Sequence, residues 1–345
     1  MKWEKLMKVV QIEKPGQIAI IEKEQPVPKP GEALLKIKYC GVCGADIASY
    51  TGNQPFTTYP RIPGHEFSAE IVEIEDNDRD LKKGMLVTAN PYFNCGTCYA
   101  CQRGKINCCE QNQTMGVQRD GAFAEYITMP IDRIYDGKGL SAQTLALIEP
   151  FSISYHASKR GRIRAGNHVL VMGAGPIGIF AMISAKLWGA RVYITDLFEQ
   201  RLTLAKKLGA DGTIDSKQED LATKVKELTA GHGMDVCIEA AGLPQTFLGC
   251  IEHVCFGGQV ILIGNGKKET TFNHSILLKK ELDVFGSRNS LHDFEPLIDL
   301  VSQGKGVIID PLITHVFPLD RAVEAFEQLL HNDGSLAKVL VQFDT

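Results

Sequence analysis

The 345-residue chain lacks an excess of positive charge: 37 lysines and arginines stand against 41 acidic residues, giving a formal net charge of −4 and a sequence pI of about 6.2. Without a broad basic surface it cannot release counterions from a nucleic-acid backbone, which argues against a nucleic-acid partner. It also lacks an unbroken apolar run suited to a bilayer. The stretch that comes nearest, VLVMGAGPIGIFAMISA from Val169 to Ala185, is seventeen residues long and contains three glycines and a proline, short for a membrane span. The N-terminal MKWEKLMKVV interleaves lysines with apolar residues, where a secretory signal carries a continuous apolar segment. Internal repeats, low-complexity tracts and long flexible linkers are missing as well. These absences predict a cytoplasmic globular protein with no membrane association, and its length exceeds what one hydrophobic core serves, so two domains are expected.

Cysteine, by contrast, is plentiful, with ten in the chain. In a reducing compartment disulfides are rare, and tight spacing points to metal ligation or reactive thiols. NCGTCYACQRGKINCCE places Cys95, Cys98, Cys101 and Cys109 at C-x2-C-x2-C-x7-C, with Cys108 beside the last. A four-thiolate zinc site is closed, so metal there stabilises the fold and leaves the chemistry to other residues.

The uncharged stretch reads instead as a buried parallel strand, a tight turn and a helix. Gly173, Gly175 and Gly178 form G-x-G-x-x-G around Pro176 and Ile177. In that fingerprint the first glycine permits the turn, the second admits a pyrophosphate to the backbone, and the third lets helix and strand pack closely, with helix N–H groups facing the phosphates. The next strand, RVYIT, ends at Asp196, where a carboxylate accepts hydrogen bonds from ribose hydroxyls and repels a 2′-phosphate, which favours NAD over NADP. Arg201, in the following helix, is a further cofactor-side candidate. Strands at DVCIEAAG, GGQVILIG and ELDVFGS alternate with helical EQRLTLAKKLGA and LATKVKELTA, the pattern of a doubly wound parallel sheet over residues 154–290. The first part, with strand-like ALLKIKYCG and EFSAEIVEIE and no repeated strand–helix pattern, predicts a mostly β domain of irregular barrel type.

Cys43 in GVCGADI, His65 and Glu66 in GHEF, and Glu149 in IEP supply sulfur, nitrogen and oxygen donors. Such a set suits a zinc with one open position. In their order along the chain, these features resemble the zinc-containing medium-chain alcohol and polyol dehydrogenases, over nearly the whole length. Glu66 and Glu149 resemble the sorbitol dehydrogenase branch. GNQPFTTYPR, RDGAFAEY and FGSRN resemble bacterial sugar-acid dehydrogenases that oxidise the C5 hydroxyl of L-galactonate or L-gulonate.

The resemblance implies a chaperonin-10-like catalytic domain over residues 1–153 and 291–345, a Rossmann NAD-binding domain over 154–290, and an active site in the cleft between them. It implies one catalytic and one structural zinc per chain. Cys43 and His65 hold the first, with Glu66 and Glu149 ligating directly or through water, and Asp46 accepts the second ring N–H of His65. Cys95, Cys98, Cys101 and Cys109 hold the second, and Cys108 is spare. Zinc then lowers the pKa of a substrate hydroxyl, and hydride passes to NAD. Ala45 stands where many members carry a serine or threonine proton relay, which leaves water with Glu66 or Glu149 as base. Arg288 is expected to pair with a substrate carboxylate, with Asn289, Asn53 and Arg119 as further substrate contacts. A homodimer or homotetramer is implied. The competing readings are a polyol or polyol-phosphate dehydrogenase, a zinc-free reductase of similar fold, and a non-enzymatic zinc and NAD sensor.

Overall fold

The structure, a computed structural model, describes residues 5–304 and 307–343, so the first four residues of the N-terminal stretch lie outside it. The chain divides into two compact units: Met1–Glu149 with Phe294–Asn332 and Lys338–Thr345, and Pro150–Asp293 with Asp333–Ala337. All ten cysteines are free thiols.

The first unit opens with an antiparallel hairpin of β1 (Leu6–Lys14) and β2 (Gln17–Glu24). It continues through β3 (Glu32–Gly41), α1 (Gly44–Tyr50), β4 (Glu66–Glu73), β5 (Leu86–Ala89), β6 (Tyr92–Phe93), α2 (Tyr99–Gln102), β7 (Gln113–Thr114), β8 (Tyr126–Pro130), β9 (Ile134–Asp136) and α3 (Ala142–Leu145). Helix α4 (Ile148–Arg160) leads into the second unit. There β10 (His168–Met172), α5 (Pro176–Leu187), β11 (Arg191–Asp196), α6 (Glu199–Lys207), β12 (Gly212–Asp215), α7 (Leu221–Leu228), β13 (Met234–Glu239), α8 (Pro244–His253), β14 (Val254–Leu262), α9 (Ser275–Lys280) and β15 (Asp283–Gly286) alternate. The chain returns to the first unit with α10 (Phe294–Ser302), β16 (Ile313–Pro318), α11 (Ala322–Leu330) and β17 (Lys338–Gln342).

In the first unit the strands run in the order β16-β17-β3-β4-β5-β9, with β8 also on β3. All pairs but β16–β17 are antiparallel. Leu35, Ile37, Phe67 and Ile71 are fully buried on β3 and β4, and Phe123 meets Phe326 edge to face at 5.4 Å. This is the curled β domain that alternating, Gly- and Pro-broken sequence predicts.

In the second unit six parallel strands run β12-β11-β10-β13-β14-β15, so the order reverses between β10 and β13. Val169, Leu170 and Val171 of β10 are fully buried. Helices cover both faces of a sheet of this kind, which is why its central strand is a continuous apolar run. Burying each such side chain contributes about 1.5–3 kcal/mol relative to leaving it in water. The stretch that mimics a membrane span is thus β10, a turn and α5, and among the described residues no helix is long and apolar enough to cross a membrane. Ligands bind such sheets at the strand C-termini beside the reversal.

Candidate metal centres and nucleotide site

Strand β3 ends and β4 begins as a pair, Gly41 opposite Glu66. Cys43 caps the N-terminus of α1, and His65 directly precedes β4. One donor atom from each of Cys43, His65 and Glu66 falls within 4.8 Å of the other two. Gly41 makes room for this: a Cβ there would stand 2.4 Å from Glu66 Oε2. Asp46 is fully buried beneath, but with partners other than those expected. Its carboxylate accepts the Cys43 and Gly64 N–H groups, each at 2.9 Å. His65 Nδ1 lies 3.9 Å away, beyond hydrogen-bond range. Asp46 therefore ties together the two loops that carry the ligands. Glu149, in the first turn of α4, is buried and accepts the Tyr92 hydroxyl; it is not a member of the three-residue set. Both Glu66 oxygens accept from Lys338 Nζ, at 2.9 and 2.6 Å.

Burial, then the Glu66 charge, pushes the Cys43 thiol up. Burial, reinforced by Glu66, raises the Glu149 carboxyl to about 7. Burial alone would lower His65, but the charges of Cys43 and Asp46 hold it well above its ordinary value. A thiol that resists ionising beside an imidazole that resists losing its proton is a site short of positive charge. A divalent cation among Cys43, His65 and Glu66 would supply that charge, and sulfur, nitrogen and oxygen donors together fit zinc.

The four cysteines of the loop between β6 and β7 also converge within 4.8 Å. Cys109 Sγ lies 3.5 Å from Cys95 Sγ and 3.9 Å from Cys98 Sγ. These separations match the edge of a tetrahedron with zinc–sulfur bonds of about 2.3 Å and are far too long for a disulfide. Backbone N–H groups aim at the sulfurs: Cys98 N to Cys95 at 3.3 Å, and Cys95 N to Cys109 at 3.2 Å. The Thr97 hydroxyl and neighbouring N–H groups bring Cys95 down to about 6, whereas burial pushes Cys101 up to about 12. Cys101 needs a cation before it ionises. Cys108 points out to solvent, apart from the set.

In the second unit Gly173 has φ 107°, a conformation that favours glycine. A Cβ on Gly178 would sit 1.8 Å from the Gly173 carbonyl, while the space above Gly175 is open. Pro176 and Ile177 start α5, whose first turn points into that space. Asp196 ends β11 and accepts N–H groups from Ala174 at 2.7 Å, Leu197 at 2.8 Å and Phe198 at 3.1 Å. Arg201 Nη1 stands 3.6 Å from the same carboxylate. The turn therefore fits a dinucleotide, with room for a pyrophosphate beside Gly175 and a fixed carboxylate at the strand end.

The substrate candidates are scattered. Asn53 donates to Thr51 Oγ1 at 3.0 Å, beyond α1. Arg119 lies 3.6 Å over the Phe93 ring. Phe93 follows Tyr92 in the two-residue strand β6. Arg288 and Asn289 follow β15 in the second unit; Arg288 is exposed, and the buried Asn289 Nδ2 has no hydrogen-bond partner among the described residues. Sequence reasoning missed Tyr92 and Lys338. Nothing in its surroundings marks Tyr92, but a lysine inside the apolar run AKVLVQF was a signal that a buried acid awaits it.

Two family descriptions match the chain: "Alcohol dehydrogenase GroES-like domain" over residues 29–138 and "Zinc-binding dehydrogenase" over 176–303. Among curated proteins, the L-galactonate-5-dehydrogenase of Escherichia coli K12 is 38% identical, covering 98% of this chain and 99% of its own. Among solved structures, a short chain alcohol dehydrogenase of Escherichia coli CFT073 complexed with NADH superposes with a TM-score of 0.91 at 32% identity, covering 98% and 99% of the two chains. A zinc-binding dehydrogenase of Sinorhizobium meliloti 1021 bound to NADP superposes with a TM-score of 0.92 at 30% identity, covering 99% and 100%.

Proposed function

Because the chain belongs to the zinc-containing medium-chain alcohol dehydrogenases, enzymes that act on CH–OH groups with zinc and a nicotinamide dinucleotide, we propose that it oxidises the C5 hydroxyl of an L-galactonate- or L-gulonate-type sugar acid to the ketone, with NAD as acceptor. The first unit serves as the catalytic zinc domain and the second as the NAD-binding domain. The observation that carries the reading is the convergence of Cys43, His65 and Glu66 in a chain that also builds a closed four-cysteine set.

Cys43, His65 and Glu66 would hold the catalytic zinc, and Cys95, Cys98, Cys101 and Cys109 the structural one. Zinc in the first set would supply Lewis acidity toward a hydroxyl, and a bound nicotinamide would supply the hydride acceptor. Asp46 fixes the loops of Cys43 and His65 to each other through its two backbone hydrogen bonds. Glu66 is engaged by Lys338, which leaves Glu149, oriented by the Tyr92 hydroxyl, as the carboxylate that takes the hydroxyl proton Ala45 cannot relay. Asp196 selects NAD. Arg288 offers a guanidinium suited to bidentate capture of the hexonate carboxylate, with Asn289 beside it.

One edge strand of the second unit's sheet, β15, exposes Val284, and pairing of two such edges would give the proposed homo-oligomer. The test of the function is NADH formation by the zinc-loaded protein on a panel of hexonates, polyols, polyol phosphates and L-threonine. The reading predicts the highest kcat/KM on L-galactonate or L-gulonate; a polyol or polyol phosphate leading the panel would replace the sugar-acid assignment.

A further inference from the structure

Lys338 opens β17, which pairs with β3 through Leu340 opposite Gly41, and Gly41 pairs on its other side with Glu66 of β4. The lysine thus belongs to the strand on the far side of β3 from its partner, and its side chain reaches Glu66 where the intervening residue is a glycine. There it donates to both carboxylate oxygens, at 2.9 and 2.6 Å, with only 4% of its own side chain and 1% of Glu66 exposed. Water has no access with which to replace either partner. A buried carboxylate so placed is shared between the ammonium and the metal that Cys43, His65 and Glu66 would hold.

We infer that Lys338 is a positioning residue for the metal: by occupying one lone pair on each Glu66 oxygen, it prevents the carboxylate from chelating the ion through both and leaves it a single, weakly held ligand that can leave. The inference rests on the three-residue set being the catalytic zinc site. Each carboxylate oxygen offers about two acceptor positions, so a lysine bonded to both removes the geometry that two-oxygen chelation requires. Its positive charge also draws electron density from Glu66 and repels the metal. Without Lys338 the metal becomes the sole cation available to a buried carboxylate, and the bond between them tightens.

The test replaces zinc by cobalt(II) in wild type, Lys338→Met and Lys338→Arg, then follows the cobalt d–d absorption and the rate at which a chelator strips each ion. Lys338→Met should hold the ion at the Cys43–His65–Glu66 set about tenfold longer, the scale on which groups behind metal ligands act. Its absorption should also change, stripping from the four-cysteine site should be unaltered, and Lys338→Arg should return both readouts toward wild type. If the methionine variant does not accumulate folded, Lys338→Gln, which keeps a donor but no charge, should show the same change to a lesser degree. An unchanged spectrum and stripping rate, or faster loss of the ion from the Cys43–His65–Glu66 set, would overturn the inference. A wild type that takes up a single ion refutes the two-centre reading and this inference with it. Two ions in wild type with no response in the variant refutes this inference alone.

Discussion

Replacing Asp196 with alanine acts on two cofactors in opposite directions, and the structure sets the size of the effect. The carboxylate is held by three backbone N–H groups, its side chain is only 7% exposed, and Arg201 stands 3.6 Å away. In the proposed complex with NAD it would accept from the adenosine ribose hydroxyls, and loss of those charge-assisted hydrogen bonds would cost about 2 kcal/mol. With NADP, a carboxylate about 5 Å from a 2′-phosphate is opposed by several kcal/mol at an effective dielectric of about 20. Arg201 and solvent reduce that to about 1–2 kcal/mol. Alanine removes the repulsion and frees Arg201 to meet the phosphate. The sum, about 3–4 kcal/mol, lowers the NAD-to-NADP ratio of kcat/KM by about two to three orders of magnitude. Asp196→Asn, which keeps an acceptor for the backbone but loses the charge, should fall between. The assay is initial rates with each cofactor at saturating substrate, accompanied by thermal melting, because the three orphaned N–H groups also cost about 2 kcal/mol of stability. A ratio unchanged within about twofold in a folded Asp196→Ala protein refutes the assignment.

Arg288→Ala should cost about 2–3 kcal/mol in kcat/KM on a hexonate and less on the matching polyol; equal losses on both would assign Arg288 to the hydroxyls or to the fold. Asp293, fully buried, would be raised by burial, but the His156 imidazole 3.2 Å away, the Lys159 ammonium and the Leu291 N–H outweigh it and hold the carboxyl below its ordinary value. A folded-state pKa below the unfolded one contributes stability that is present above about pH 4 and lost as pH falls through the folded value. Asp293→Asn should therefore melt lower than wild type at pH 7, by about 2 kcal/mol. The gap should close as pH falls from the unfolded carboxylate value through the depressed folded one; a gap that stays constant over that range would contradict the pairing.

The second unit was legible because its signals are local. Gly173, Gly175 and Gly178 lie within one turn, and Asp196 follows at the end of the next strand. Among its strands, β12, whose four residues GTID carry a glycine and an aspartate, gave too weak a pattern to read. The first unit was legible as β but not in its pairings, because β17 joins β3 across most of the chain and no local pattern encodes that register. The donor residues could be named from their types and order. What they do to one another could not: the Lys338–Glu66 pair spans 272 residues. Asp46 was placed on His65 because a carboxylate near a ligating histidine is the common arrangement, but the loops of Cys43 and Gly64 present two N–H groups that bind it first.

Metal content tests the central claim most directly. Elemental analysis of the purified protein should give about two zinc ions per chain, and Cys109→Ser should retain about one, at the Cys43–His65–Glu66 set, with lowered thermal stability. One ion in wild type, or two retained at full stability in the Cys109→Ser variant, would contradict the account of two separate zinc centres, one closed and one open to substrate.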